Sequence, residues 1–188
     1  MNHIEEILEH NRQFVESKEY VKYQNGKSPR KKMVIVTCMD TRLVELLPKA
    51  MNLRNGDVKI IKTAGAIVSQ PFGSVMRSIM VALYELGAEE VLVVGHYDCG
   101  MASLDSEKMI GHILERGVSQ EVLNTIENIG IKLPKWLKGF DNVSDGVINT
   151  VEMIRSHPLF PPNAPVHGMI IDPDTGRLDQ VVNGYERQ

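Results

Sequence analysis

Two short segments of this 188-residue chain carry residues of the types and spacing that metal chemistry needs. CMDTR sets Cys38, Asp40 and Arg42 at alternating positions, and GHYDCG sets His96 and Cys99 three apart. Each segment follows an aliphatic run, MVIVT in the first case and EVLVVG in the second. Two thiolates and one imidazole are a borderline-soft set suited to tetrahedral zinc, at about 2.0–2.3 Å per ligand. Three protein ligands leave a fourth position open, the mark of a catalytic site, because a water bound there loses its proton near neutral pH. Asp40 competes for that position, so the candidate ligands are Cys38, Asp40, His96 and Cys99. The planar fork of Arg42 can take the Asp40 carboxylate through two parallel hydrogen bonds and hold it off the metal. Asp40 and Arg42 are therefore the candidate catalytic pair, with the character of a switch.

Neither segment is specific alone. A cysteine at the end of an aliphatic strand is commonly a small buried apolar residue, and an Asp with an Arg at a strand end is commonly a rim ion pair. The argument rests on both occurring together, each where an apolar strand ends. Other chemistry-bearing residues read more plainly. Asp98, in a turn between ligands, is expected to contact solvent. His112 is expected to be a partly buried structural histidine, and His157 and His167 to be loop residues beside a proline-rich stretch. Met76 and Met80 follow helical spacing and read as core or subunit contacts. KSPRKK reads as a solvated loop. Gly65 in TAGAIVS fits either an anion cradle of backbone amides or a tight turn.

The elements that must position these residues follow from periodicity. Ile4, Ile7, Leu8, Phe14 and Val15 form a stripe on an N-terminal helix, and residues 24–32 break it as a loop. MVIVT, VKIIK and EVLVVG read as strands, the first and third apolar on both faces as in a sheet covered by helices on either side. LVELLPKAM and SVMRSIMVALYELG read as helices between them, Gly87 stopping the second. SEKMIGHILERG and SQEVLNTIENIG each open on a serine N-cap candidate, and DGVINTVEMIRSHP is a further helix ended by Pro158. PVHGMIIDPDTGRLDQV reads as strand, turn and strand at one sheet edge. This alternation predicts an α/β fold with a mainly parallel central sheet flanked by helices, an N-terminal helix and a C-terminal edge strand. Strand ends near a reversal of strand order are where such sheets bind ligands.

Composition bounds the function. At 43% hydrophobic and 24% charged residues the chain suits one globular domain over 1–188, with 1–32 as a helical arm and loop. A formal charge of −3 gives no sign of the basic surface that nucleic acid or an anionic membrane demands and favours a small neutral or anionic substrate. The first twenty residues hold no apolar block resembling a signal peptide or membrane span, so a cytoplasmic location is expected. There, two cysteines more often bind metal or do chemistry than form a disulfide.

CMDTR followed by GHYDCG resembles the paired signature of the β-class carbonic anhydrases, and the strand and helix order over about residues 33–103 resembles theirs as well. The resemblance implies zinc held by Cys38, His96 and Cys99, an Asp40–Arg42 dyad, and zinc-dependent reversible hydration of carbon dioxide to bicarbonate by metal-bound hydroxide. It also implies a homodimer or a multiple of dimers with the cleft at a subunit interface, and an inactive state in which Asp40 itself ligates zinc. The chain departs from the common family pattern at Thr41, at Lys62 and Thr63, and at Tyr97, whose bulk is expected to crowd the cleft. His3, His10 and His112 are the imidazoles available to a proton shuttle. The alternatives are a carbonyl sulfide or carbon disulfide hydrolase using the same site, with Ile67, Val68 and Phe72 shaping the cleft, and a non-enzymatic zinc-binding regulatory module. A redox dithiol ranks last because Cys38 and Cys99 lack the CxxC arrangement.

Overall fold

A computed structural model of the chain describes residues 2–186. Its centre is a five-stranded sheet in the order β2-β1-β3-β4-β5, built from β1 (Met33–Cys38), β2 (Val58–Thr63), β3 (Glu90–His96), β4 (Val166–Ile171) and β5 (Leu178–Val182). The first four strands run parallel, and β5 pairs antiparallel with β4. The helices are α1 (His3–Glu16), α2 (Leu43–Ala50), α3 (Ser74–Tyr84), α4 (Ser106–Glu115), α5 (Gln120–Asn128), α6 (Leu133–Leu137) and α7 (Val143–Arg155). No helix among the described residues is long and apolar enough to cross a membrane.

The apolar runs of β1 and β3 are continuous because both faces of the sheet are covered. On one face Met76 and Ile79 of α3 and Val147 and Val151 of α7 pack on Val34, Val36, Val91 and Val93. On the other, Leu43 and Leu47 of α2 and Phe140 pack on Ile35, Leu92 and Val94. Met76 is buried, as its spacing predicted, and Met80 is partly buried against the same cluster. Thr37 lies inside this core at no cost in unpaired polarity, since its hydroxyl donates to the Val94 carbonyl at 3.0 Å.

Strand β1 leads outward to β2 while β3 leads the other way to β4, so the reversal falls between the two central strands. Their carboxyl ends, Cys38 and His96, flank the crevice that such a reversal creates. One close approach fixes the second of these ends. A Cβ on Gly95 would meet Val147 Cγ2 at 2.7 Å and Val143 Cγ2 at 2.9 Å, so α7 lies against the backbone immediately before His96.

Several local expectations differ from the structure. The cap of α4 is Asp105, whose carboxylate accepts from the amides of Glu107 and Lys108; Ser106 is the first helical residue and donates to the Pro134 carbonyl. Ser119 caps α5 by position but makes no side-chain cap bond. Helix α3 ends at Tyr84, and Gly87 closes the following turn in the left-handed region at φ +76°. Helix α6 had no periodic signal, being one turn long. His112 is exposed on α4; His157 lies in the loop after α7 as expected, though buried; and His167 is buried within β4, not in a loop. The His167 ring is engaged by structure on one side, its Nδ1 accepting the Gly184 amide at 3.0 Å, while its Nε2, buried without a hydrogen-bond partner, lies 3.4 Å from Glu90 Oε2.

Helix α1 starts with a capping box, in which Asn2 Oδ1 accepts the Glu5 amide and Glu5 accepts the Asn2 amide, each at 3.0 Å. The predicted apolar stripe is present, yet Ile4, Ile7, Leu8 and Val15 are exposed and no residue of the helix is buried.

Candidate metal centre and its dyad

Strand β1 delivers Cys38, and there the extended backbone stops. Alternation therefore does not carry Asp40 and Arg42 to one side, as the sequence suggested. Instead Asp40 Oδ1 accepts the Arg42 amide at 2.9 Å, closing a tight turn, and the Leu43 amide donates to the Asp40 carbonyl at 3.2 Å as α2 begins. The turn brings the two side chains face to face. Arg42 Nε donates to Asp40 Oδ1 at 3.1 Å and Nη2 to Oδ2 at 2.9 Å, a bidentate pair. Arg42 holds the Asp40 carboxyl well below its ordinary range, at about 2, so Asp40 is ionised throughout the neutral range.

Strand β3 delivers His96. The Tyr97 amide then donates to the Ile171 carbonyl of β4 at 3.1 Å, and Asp98 takes the left-handed conformation at φ +53°, which returns Cys99 to the same side as His96. His96 Nδ1 lies 2.8 Å from the Tyr97 carbonyl oxygen. A carbonyl can only accept, so Nδ1 carries the proton and Nε2 presents its lone pair.

Cys38, His96 and Cys99 are all buried, and their ligand atoms lie within 4.8 Å of one another. Asp40 stands beside this group, its Oδ2 3.7 Å from His96 Nε2. Three features of the group fit a soft cation. His96 Nε2 is buried without a hydrogen-bond partner, a costly state for a polar atom unless a ligand satisfies it. Burial pushes the Cys38 thiol up, but the His96 ring, when its inward nitrogen carries a proton, and the amides of Asp40 and Gly65 outweigh it and bring its pKa down to about 7. Burial pushes Cys99 up to about 11, the Met101 amide offsetting only part, and the nearby Cys38 adds to the rise. Two thiols this close cannot both ionise unless a cation is shared between them.

The amide of Gly65 answers the question its loop posed. Gly65 sits at φ +70°, in a tight turn after β2, and its N–H points at Cys38 Sγ at 3.4 Å. The amide thus serves the sulfur, in the way outer partners tune a ligand. Around the group opens a cleft of about 480 Å³, lined by Met39, Asp40, Arg42, Ala64, Gly65 and Met101 together with the three ligand candidates. Tyr97 does not crowd it. Its hydroxyl donates to Asp179 Oδ2 on β5 at 2.9 Å, and Asp179 is also paired with Arg177 at 3.0 Å. Val68 is buried in the opposite core, and Phe72 is exposed beside His157, so neither lines the cleft.

The sequence missed one contact outright. Asp98 faces water as expected, its side chain 85% exposed, yet its Oδ2 also accepts from Arg42 Nη1 at 3.0 Å and its carbonyl from Nη2 at 3.1 Å. The available signal was an aspartate, a residue that tolerates the left-handed region, inside a turn short enough to need it.

A sequence model of the carbonic anhydrase family matches residues 33–178. Among curated proteins, the Bacillus subtilis (strain 168) protein named "Putative carbonic anhydrase YtiB" is 58% identical over 185 residues, covering 98% of this chain and 99% of its own. A carbon disulfide hydrolase of Acidithiobacillus thiooxidans is 26% identical over 163 residues, 82% of this chain and 79% of its own. Among solved structures, β-carbonic anhydrase isoform I of Trichomonas vaginalis superposes with a TM-score of 0.89 at 33% identity, covering 98% of this chain and all of that one.

Proposed function

The chain belongs to the β-carbonic anhydrase family, and from that premise we propose that it interconverts carbon dioxide and bicarbonate with zinc held by Cys38, His96 and Cys99. The observation that carries this reading is the buried group of two thiols and an imidazole whose inward nitrogen has no hydrogen-bond partner. A zinc ion bound there supplies activation of a water molecule near neutral pH.

The chain's own residues do the rest. Asp40, ionised and acceptor-only, takes a hydrogen bond from the attacking water and so directs its lone pair toward the substrate. Arg42 keeps that carboxylate oriented and away from the cluster, so a zinc ion held there would stay open to solvent; without the Arg42 contact Asp40 would be free to join Cys38, His96 and Cys99 in holding it. Met39, Ala64 and Met101 provide an apolar wall for a small linear molecule. Residues 1–188 act as one domain, with 1–32 as its arm. The thiols must stay reduced for this role, which suits the cytoplasm. The working unit is a homodimer or a multiple of dimers: the apolar face of α1, Ile60 of the edge strand β2, and Met39 at the cleft are exposed in the single chain and call for a second copy to cover them.

Metal analysis paired with hydration rates from about pH 6.5 to about pH 9 tests the reading, with activity expected to rise through neutrality. Cys99→Ser is expected to lose zinc and activity together. Purified protein free of zinc, or zinc-loaded protein inactive across that range, overturns it. Rates on carbonyl sulfide and carbon disulfide, measured alongside, are expected to fall below the rate on carbon dioxide.

A further inference from the structure

Arg42 has more partners than a two-residue dyad needs. Its bond to Asp40 is complete with Nε and one Nη2 proton. The other Nη2 proton and one from Nη1 go to the carbonyl and carboxylate of Asp98, so four of the five guanidinium donors are engaged. Asp40 and Arg42 belong to one turn and could swing together as a unit. Asp98 belongs to the other loop, the one that carries His96 and Cys99.

We propose that Asp98 is a positioning residue, whose carboxylate and carbonyl clamp the far side of Arg42 and thereby lock the Asp40 carboxylate in register with the Cys38–His96–Cys99 group. The left-handed turn at Asp98 is what aims both of its acceptors at one guanidinium. The clamp ties the two signature loops directly to each other, independently of any shared metal. It deepens the proposed function, since the value of a fixed Asp40 rests on that reading.

The backbone conformation selects the informative variants. Asp98→Gly keeps the left-handed turn and the carbonyl contact while removing the carboxylate, and Asp98→Asn keeps the turn and a neutral acceptor. In zinc-loaded protein, Asp98→Gly is expected to lower kcat about two- to fivefold with KM little changed, the scale of an ion pair whose partners are both exposed, and Asp98→Asn to fall between it and the parent. Placed on Arg42→Ala, Asp98→Gly is expected to cause no further loss, because the residue through which it acts is gone. Solvent exchange of the Arg42 Nε–H, followed by arginine-selective nuclear magnetic resonance, is expected to quicken in Asp98→Gly. Unchanged exchange, or an equal loss of kcat with and without Arg42, overturns the proposal. The exchange measurement needs no turnover, so a failure of the hydration reading leaves the clamp separately decided.

Discussion

Asp40 and Arg42 are joined by a turn that makes their pairing local, and the pairing sets a definite pH dependence. The depressed Asp40 pKa, about 2 against an ordinary 3.8, means the pair stabilises the fold fully above that ordinary value and loses the contribution as pH falls through about 2. With Arg42 partly exposed, the contribution is about 0.5–1 kcal/mol. Denaturant titration of zinc-stripped protein is therefore expected to show Arg42→Ala destabilised by that amount at neutral pH, the gap closing between about pH 4 and about pH 2. In zinc-loaded protein the same substitution is expected to keep the metal and lower kcat/KM about 10- to 100-fold, as loss of a group that orients the site does elsewhere.

At the scale of elements, the site depends on how closely α7 lies on β3. Gly95 permits that approach, and the residue after it is His96. Gly95→Ala forces a methyl group against Val147 and Val143, and overpacking of this kind costs about 1–3 kcal/mol. Urea unfolding is expected to report a loss of that size, with zinc affinity weakened as well because the imidazole is displaced. A loss of stability with unchanged affinity would show that β3 absorbs the strain without moving its end. Tyr97 works at the same scale from the other side: anchored to Asp179 of β5, it holds the carbonyl on which His96 Nδ1 rests, so the antiparallel edge strand also braces a ligand candidate.

At the scale of the whole molecule, the apolar stripe of α1 lies unburied in the single chain. A helix that covers none of its own core has no reason to keep Ile4, Ile7 and Leu8 on one face unless something else covers them. If the stripe is covered by a second copy, Ile7→Asp is expected to shift the protein toward monomer by light scattering. A monomeric parent protein would remove the basis for that expectation.

Residue types alone pointed to metal chemistry, because two thiols and an imidazole suit a borderline-soft cation, and the continuous apolar runs of β1 and β3 determined a covered parallel sheet. The strand ends that carry Cys38 and His96 were legible for the same reason. What only the tertiary structure decided are contacts between segments remote in the chain. The Gly65 amide on Cys38, the clamp of Asp98 on Arg42 and the tether of Tyr97 to β5 each depend on loop backbones whose left-handed turns and close approaches leave no periodic trace. Burial of His167 and exposure of the α1 stripe escaped the pattern likewise, since periodicity shows that a face is apolar but not what lies against it.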